Sequence, residues 1–127
     1  MRPGHADLTG LVKFERDDAR DILERASARE TTARVAAGAI ARRLLGEFGV
    51  RLGSHLTHLG GIDATAPAAL PADLIAAADA SQLRCLDPVA EAAMIARIDE
   101  AKRAGDTLGG ICEVVVTGLP VGLGAHV

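Results

Sequence analysis

From residue 28 to residue 47 the apolar positions return at helical intervals. Val35, Ala36, Ala39, Ile40 and Leu44 fall on one side, with Ala33, Ala37 and Ala41 beside them. The pattern predicts a long helix that stops at about Glu47, where Gly49 supplies a left-handed end. Ser27 followed by Glu30 has the S-x-x-E form of a capping box, which starts this helix after Ser27 and separates it from a short helix over Asp17–Glu24. Its many alanines allow close approach to a sheet or another helix.

The period then changes. Val50, Leu52, Ser54, Leu56 and His58 alternate with Arg51, Gly53, His55 and Thr57, the two-residue repeat of a strand. Residues 60–72, rich in Gly, Ala and Pro, read as loop, with a short helix at Asp73–Ala80. Asp87-Pro88 places a cap and a first-turn proline before a helix striped with Met94, Ile95, Ile98 and Ala101 and closed by Gly105. A last strand covers Gly110–Thr117. Its apolar "CEVVV" run predicts burial on both faces, with Glu113 as the exception. Residues 2–12, punctuated by Pro3 and Gly4, read as loop, and so does the glycine-rich stretch from Gly118 to Val127. No internal repeat is present. Helices and strands mix without a strict βαβ rhythm, which predicts an α+β fold, and 127 residues suit one domain.

Composition changes this picture in one respect. The only aromatic residues are Phe14 and Phe48, so a core of Ala, Val, Leu and Ile is thin. That predicts packing on a partner or on further sequence. Both ends read either as cuts through a longer protein or as ragged termini of a short domain. Net charge is −3, but residues 1–51 hold ten Lys/Arg against eight Asp/Glu, and residues 52–127 hold four against nine. An acidic chain with a local arginine cluster excludes a broad nucleic-acid face and fits a small anionic ligand. Cys85 and Cys112 lack zinc-site spacing and read as reduced thiols, Cys112 as an inert buried one. No apolar run has the length of a signal peptide or a membrane span, so the expectation is a soluble, cytoplasmic chain without membrane contact.

The candidate chemistry lies early in the chain. Arg25 and Arg29 flank Ala26, Ser27 and Ala28 at a helix start, whose free N–H groups and dipole attract anions. A cation in the first turn opposes the dipole, which points to an anion shared by both. The alternative is surface pairing with Glu24, Glu30 or Asp21. His5 stands in a loop with Arg2 before it and Asp7 after it; Asp7 is expected to orient the ring and Arg2 to hold an anion, against the ordinary exposed loop histidine. His55 and His58 point to opposite strand faces and do not suit one metal ion. The "LGG" at 108–110 and "GLG" at 122–124 are turns rather than phosphate loops, and His126 carries no signal.

Three stretches resemble a known family: "RPGHADL" (Arg2–Leu8), "ERASARETTARVAAGAIA" (Glu24–Ala41) and "GDTLGGICEVVVTGLPVGLGAHV" (Gly105–Val127), with "RCLDP" (Arg84–Pro88) between them. They are similar to the central part of chorismate synthase. The resemblance implies a βαβ sandwich, here its central part with the long Ala-rich helix packed on antiparallel strands. It also implies a homotetramer in the full-length family. The implied activity is anti-1,4-elimination of phosphate from 5-enolpyruvylshikimate 3-phosphate to give chorismate, with reduced FMN. Whether NADPH reduces the flavin on the enzyme or an external reductase does so stays open. By resemblance His5 protonates or maintains the reduced flavin, Arg2 and Arg29 hold the substrate's anionic groups, and Ser27 and Ala28 line the same pocket. Arg25, Ala26 and Ser27 match the segment that contacts FMN. The family's N-terminal "GESHG"-type histidine motif and its C-terminal Arg/Asp motif have no counterpart in the chain. Residues 1–127 are therefore expected to be a single partial domain, inactive alone. The alternative is a noncatalytic anion-binding or assembly module derived from the same fold.

Overall fold

The computed structural model describes residues 1–124; Ala125–Val127, and with them His126 and the last of the glycine-rich tail, lie outside the described residues. The chain forms two units, residues 1–48 and residues 49–127. Among the described residues they hold five helices and one three-stranded antiparallel sheet, an α+β architecture.

The first unit is helical. Helix α1 spans Asp7–Phe14, beginning inside the stretch 2–12 expected to be loop and running past its end. The loop ends at Ala6, because Asp7 enters the first helical turn, where a carboxylate suits the dipole. No side chain caps this start, so the usual sequence signal for it is missing. Helix α1 stops at Glu15, a left-handed residue whose N–H donates to the Leu11 carbonyl. Helix α2 is one turn, Arg20–Leu23, shorter than Asp17–Glu24, because the Asp18 carboxylate accepts from the Arg20 N–H and holds the preceding residues in a turn. Helices α1 and α2 meet at Gly10: a Cβ there would lie 2.5 Å from Ile22 Cγ2, so only glycine allows this approach.

Helix α3, Ala28–Glu47, runs over the expected span. Its expected packing stripe is not covered: Val35, Ile40 and Leu44 are exposed, and the helix buries none of its residues.

The second unit carries the sheet, in the order β2-β1-β3. Strand β1 (Arg51–Leu59) pairs with β2 (Ile62–Asp63) on one side and β3 (Gly110–Thr117) on the other. A bulge between Leu56 and His58 breaks the strict alternation read from the sequence. Strand β2 lies within the stretch expected to be loop, where Gly60 and Gly61 turn the chain back on β1. Helix α4 (Leu74–Asp79) follows Asp73, whose carboxylate caps it by accepting from the Ala76 N–H. Helix α5 (Pro88–Ala104) forms as its local signals dictate. Asp87 accepts from the Val89 and Ala90 N–H groups, and Gly105 closes the helix at φ 68°.

The same Asp87 accepts from the Thr65 N–H, and these backbone donors, Thr65 foremost, hold its carboxyl below the usual range. Cys85, Ala90 and Met94 form the core, with Leu56, Leu59, Ile62, Ala64 and Leu83 against it. Strand β3 differs from expectation. Ile111, Val114 and Val116 are exposed and Cys112 is an exposed free thiol, because β3 is an edge strand with no layer over it among the described residues; the buried free thiol is Cys85.

Candidate functional site

The chemistry-bearing residues Arg2, His5, Arg25, Ala26, Ser27, Ala28 and Arg29 all fall in the first unit. They form two groups, and among the described residues no hydrogen bond or ion pair joins Arg2 or His5 to the 25–29 segment.

The first group is organised by Asp7, whose side chain is completely buried. Its Oδ2 accepts from the Arg2 backbone N–H at 2.8 Å and from Arg2 Nε at 3.1 Å, while Oδ1 accepts from Arg2 Nη2 at 2.9 Å. This is the forked guanidinium–carboxylate pairing that fixes both planes. The Arg2 guanidinium, then its backbone N–H, hold the Asp7 carboxyl down at about 2, with a smaller contribution from His5. Arg2 is raised in turn by its hydrogen bond to Asp7. Asp7 therefore serves Arg2 and not, as expected, the His5 ring. His5 is exposed at the crest of the turn, its N–H donating to the Arg2 carbonyl at 3.3 Å.

The second group sits at the entrance to α3. The capping box does not form: Ser27 has φ 57° and ψ −129°, and its side chain caps nothing. A capping serine needs extended backbone with negative φ. Glu30 instead pairs with Arg34 at 3.1 Å. The backbone at Ser27 is of the kind that costs a non-glycine residue on the order of 1–3 kcal/mol and clusters at ligand sites. Arg29 pairs with Glu24, as the surface-pairing alternative has it, and Glu24 also receives Arg20 at 3.6 Å. Arg25 has no carboxylate at ion-pair distance among the described residues.

Arg25 and Ala26 form part of the wall of a cleft of about 750 Å³, together with Phe14, Arg16, Asp21 and Ile22. This volume lies in the range of small-ligand sites, about 300–1,000 Å³. Arg16 is held loosely by Asp21 at 3.9 Å. Sequence reading missed Phe14 and Arg16, which lie on a segment with no motif of its own.

Both histidines of the sheet lie against carboxylates. His55 is 4% exposed and its Nε2 lies 2.8 Å from Glu113, its cross-strand partner. His58 Nδ1 lies 2.7 Å from Asp63. Among the described residues no group of His, Cys, Asp and Glu suits a metal ion, and no helix is long and apolar enough to cross a membrane.

Fold and site thus describe an α+β protein with a cation-bearing cleft at a helix entrance. The profile of the family described as chorismate synthase matches residues 1–127, and the chain belongs to the chorismate synthase family. It is 54% identical to the chorismate synthase of Symbiobacterium thermophilum over 127 residues, covering 99% of this chain and 32% of that protein. It is 56% identical to the chorismate synthase of Micrococcus luteus over 128 residues, covering 99% and 31%. A crystal structure of chorismate synthase superposes with a TM-score of 0.73 at 37% identity, over 91% of this chain and 37% of that one. The chain spans about a third of the length of the curated relatives it matches.

Proposed function

We propose that this chain forms part of the active site that eliminates phosphate from 5-enolpyruvylshikimate 3-phosphate to give chorismate, the lyase step its family is named for. The carrying observation is the unpaired Arg25 beside Ala26 on the cleft wall, in a chain whose whole length matches the family. The substrate bears two carboxylates and a phosphate, so its site needs several cations in fixed places. Arg2 and Arg29 bind those anionic groups, and Ser27 and Ala28 leave the backbone open to close approach. Arg29 must leave Glu24 to do so. An exposed pair of that kind is worth roughly 0–1 kcal/mol, which an incoming dianion readily exceeds.

Reduced FMN is the proposed cofactor, and the residues present fit it. Phe14 and Ile22 give an apolar wall for a planar ring system, Arg25 gives an uncommitted cation, and Ala26 leaves room. Arg25, Ala26 and Ser27 would hold the flavin; when bound and reduced it supplies transient electron donation. Its electrons would be supplied by NADPH on the enzyme or by an external reductase. His5, exposed on its turn, would be the proton-exchanging group toward the flavin. The rest of the site comes from parts of the relatives outside the matched third. The full-length protein is proposed to be a cytoplasmic homotetramer.

The test grafts residues 1–127 in place of the matching segment of the Micrococcus luteus relative. Phosphate release is then followed without oxygen, with reduced FMN. Release at a rate near the parent's supports the proposal. A grafted protein that folds and binds the substrate without releasing phosphate favours the noncatalytic anion-binding module.

A further inference from the structure

Asp7 is the one acidic side chain of the first unit that is fully buried. A carboxylate there without a partner is strongly unfavourable. Its three hydrogen bonds all go to Arg2. They occupy Nε and Nη2 of the guanidinium and leave Nη1 without a hydrogen-bond partner among the described residues. The Arg2 side chain keeps 38% of its surface in solvent. The guanidinium is thus locked along one edge and open along another. The hydrogen bond from the Arg2 backbone also closes the turn of residues 2–7, on whose crest His5 sits.

We propose that Asp7 is a positioning residue for the elimination reaction: its buried carboxylate fixes Arg2 so that the Nη1 edge faces the substrate's anionic group, and it sets the turn that presents His5. This rests on the assignment of Arg2 and His5 to the site. The pairing has a chemical consequence. Arg2 and Asp7 together carry no net charge, so Arg2 contributes directed N–H donors, while Arg25, with no carboxylate at ion-pair distance among the described residues, supplies the attraction of net positive charge. A fixed donor loses less rotational freedom on binding than a free arginine does. Loss of Asp7 therefore weakens substrate binding through the geometry of Arg2, although Asp7 itself touches no substrate.

The experiment uses full-length, flavin-loaded enzyme carrying this chain, with 5-enolpyruvylshikimate 3-phosphate as the probe. Asp7→Asn keeps the shape but turns an amide toward the guanidinium. It is expected to raise KM for the substrate about tenfold, with calorimetric substrate affinity falling in parallel. FMN affinity is expected to stay close to that of the parent, while the melting temperature falls with the loss of the ion pair. Asp7→Glu, which keeps the charge, restores part of the loss. Arg2→Lys raises KM similarly, and the double variant Arg2→Lys/Asp7→Asn is no worse than Arg2→Lys alone, since both changes remove one arrangement.

An unchanged KM in Asp7→Asn beside a raised KM in Arg2→Lys overturns the positioning role while leaving Arg2 in the site. An unchanged KM in Arg2→Lys removes Arg2 from the site and this proposal with it. Parallel loss of substrate affinity and FMN affinity in Asp7→Asn makes the pair a structural tie only, and also overturns the proposal.

Discussion

The two units of the chain are held together by different forces. Residues 49–127 enclose an apolar core in which Met94 is completely buried among Cys85, Ala90 and the side chains of β1 and β2. Residues 1–48 bury only Asp7 and Gly10 and rely on ion pairs and close helix contact. The proposed ligand-binding residues all lie in the second kind of structure. The contrast teaches that the proposed site lies where polar groups can be left partly unsatisfied and positioned by charge, while apolar burial is concentrated elsewhere. Arg25 has no ion-pair partner among the described residues and Ser27 holds a strained backbone, and neither feature belongs in a unit stabilised by tight apolar packing.

The contrast breaks most readily at Met94. Met94→Ala removes a fully buried side chain, and the expected cost to the second unit is about 2–5 kcal/mol. Chemical denaturation followed by amide exchange within residues 49–124 measures it. A loss below about 1 kcal/mol would mean that the apolar core contributes little, and the contrast would fail.

A smaller effect sharpens the other side. The Asp7 carboxyl is depressed in the folded chain to about 2 from its ordinary 3.8. A depressed carboxyl stabilises the fold fully above its unfolded value. That contribution fades as pH falls below about 3.8 and is gone once pH has dropped through about 2. Arg2 and His5 are the charged groups responsible. The carbon resonance of the Asp7 carboxyl and the amide resonance of Arg2 should titrate together near the lower value. A midpoint near 3.8 would show that the fork is open in solution.

The smallest effect concerns the thiols. Cys112 is exposed and Cys85 is 3% exposed, so a maleimide should label Cys112 first in the native chain. Cys85 should react only as the second unit opens. Equal labelling rates would place Cys85 outside the core.

What could be read in the sequence divides along physical lines. Helix α5 was legible end to end, because its cap Asp87, its first-turn Pro88 and its terminal Gly105 act through local backbone geometry. Strand β3 was legible as a strand, since alternation and β-branching are local. Its exposure was not, because burial depends on what covers a strand, and among the described residues nothing covers this one. Helix α1 was hidden: Ala6 leaves no side-chain cap, and Pro3 and Gly4 suggest a loop that ends sooner than it seems.

The candidate site shows the same division. The arginines and His5 could be picked out by type and spacing. Ser27 and Glu30 have the letters of a capping box, but the positive φ of Ser27 turns its side chain away. Asp7 is close to His5 in sequence, yet the turn brings Arg2 to it, and only the folded geometry shows which neighbour it serves. The cleft wall from Phe14 and Arg16 depends on how α1 and α2 meet, which no motif records.

The central claim is that residues at the entrance to α3 bind the substrate of the elimination. Arg29→Ala in full-length, flavin-loaded enzyme carrying this chain tests it most directly, by phosphate release from 5-enolpyruvylshikimate 3-phosphate without oxygen. Removing a charge-stabilising donor is expected to lower kcat/KM about 100-fold or more. A kcat/KM equal to that of the parent would take Arg29 out of the site and contradict the account.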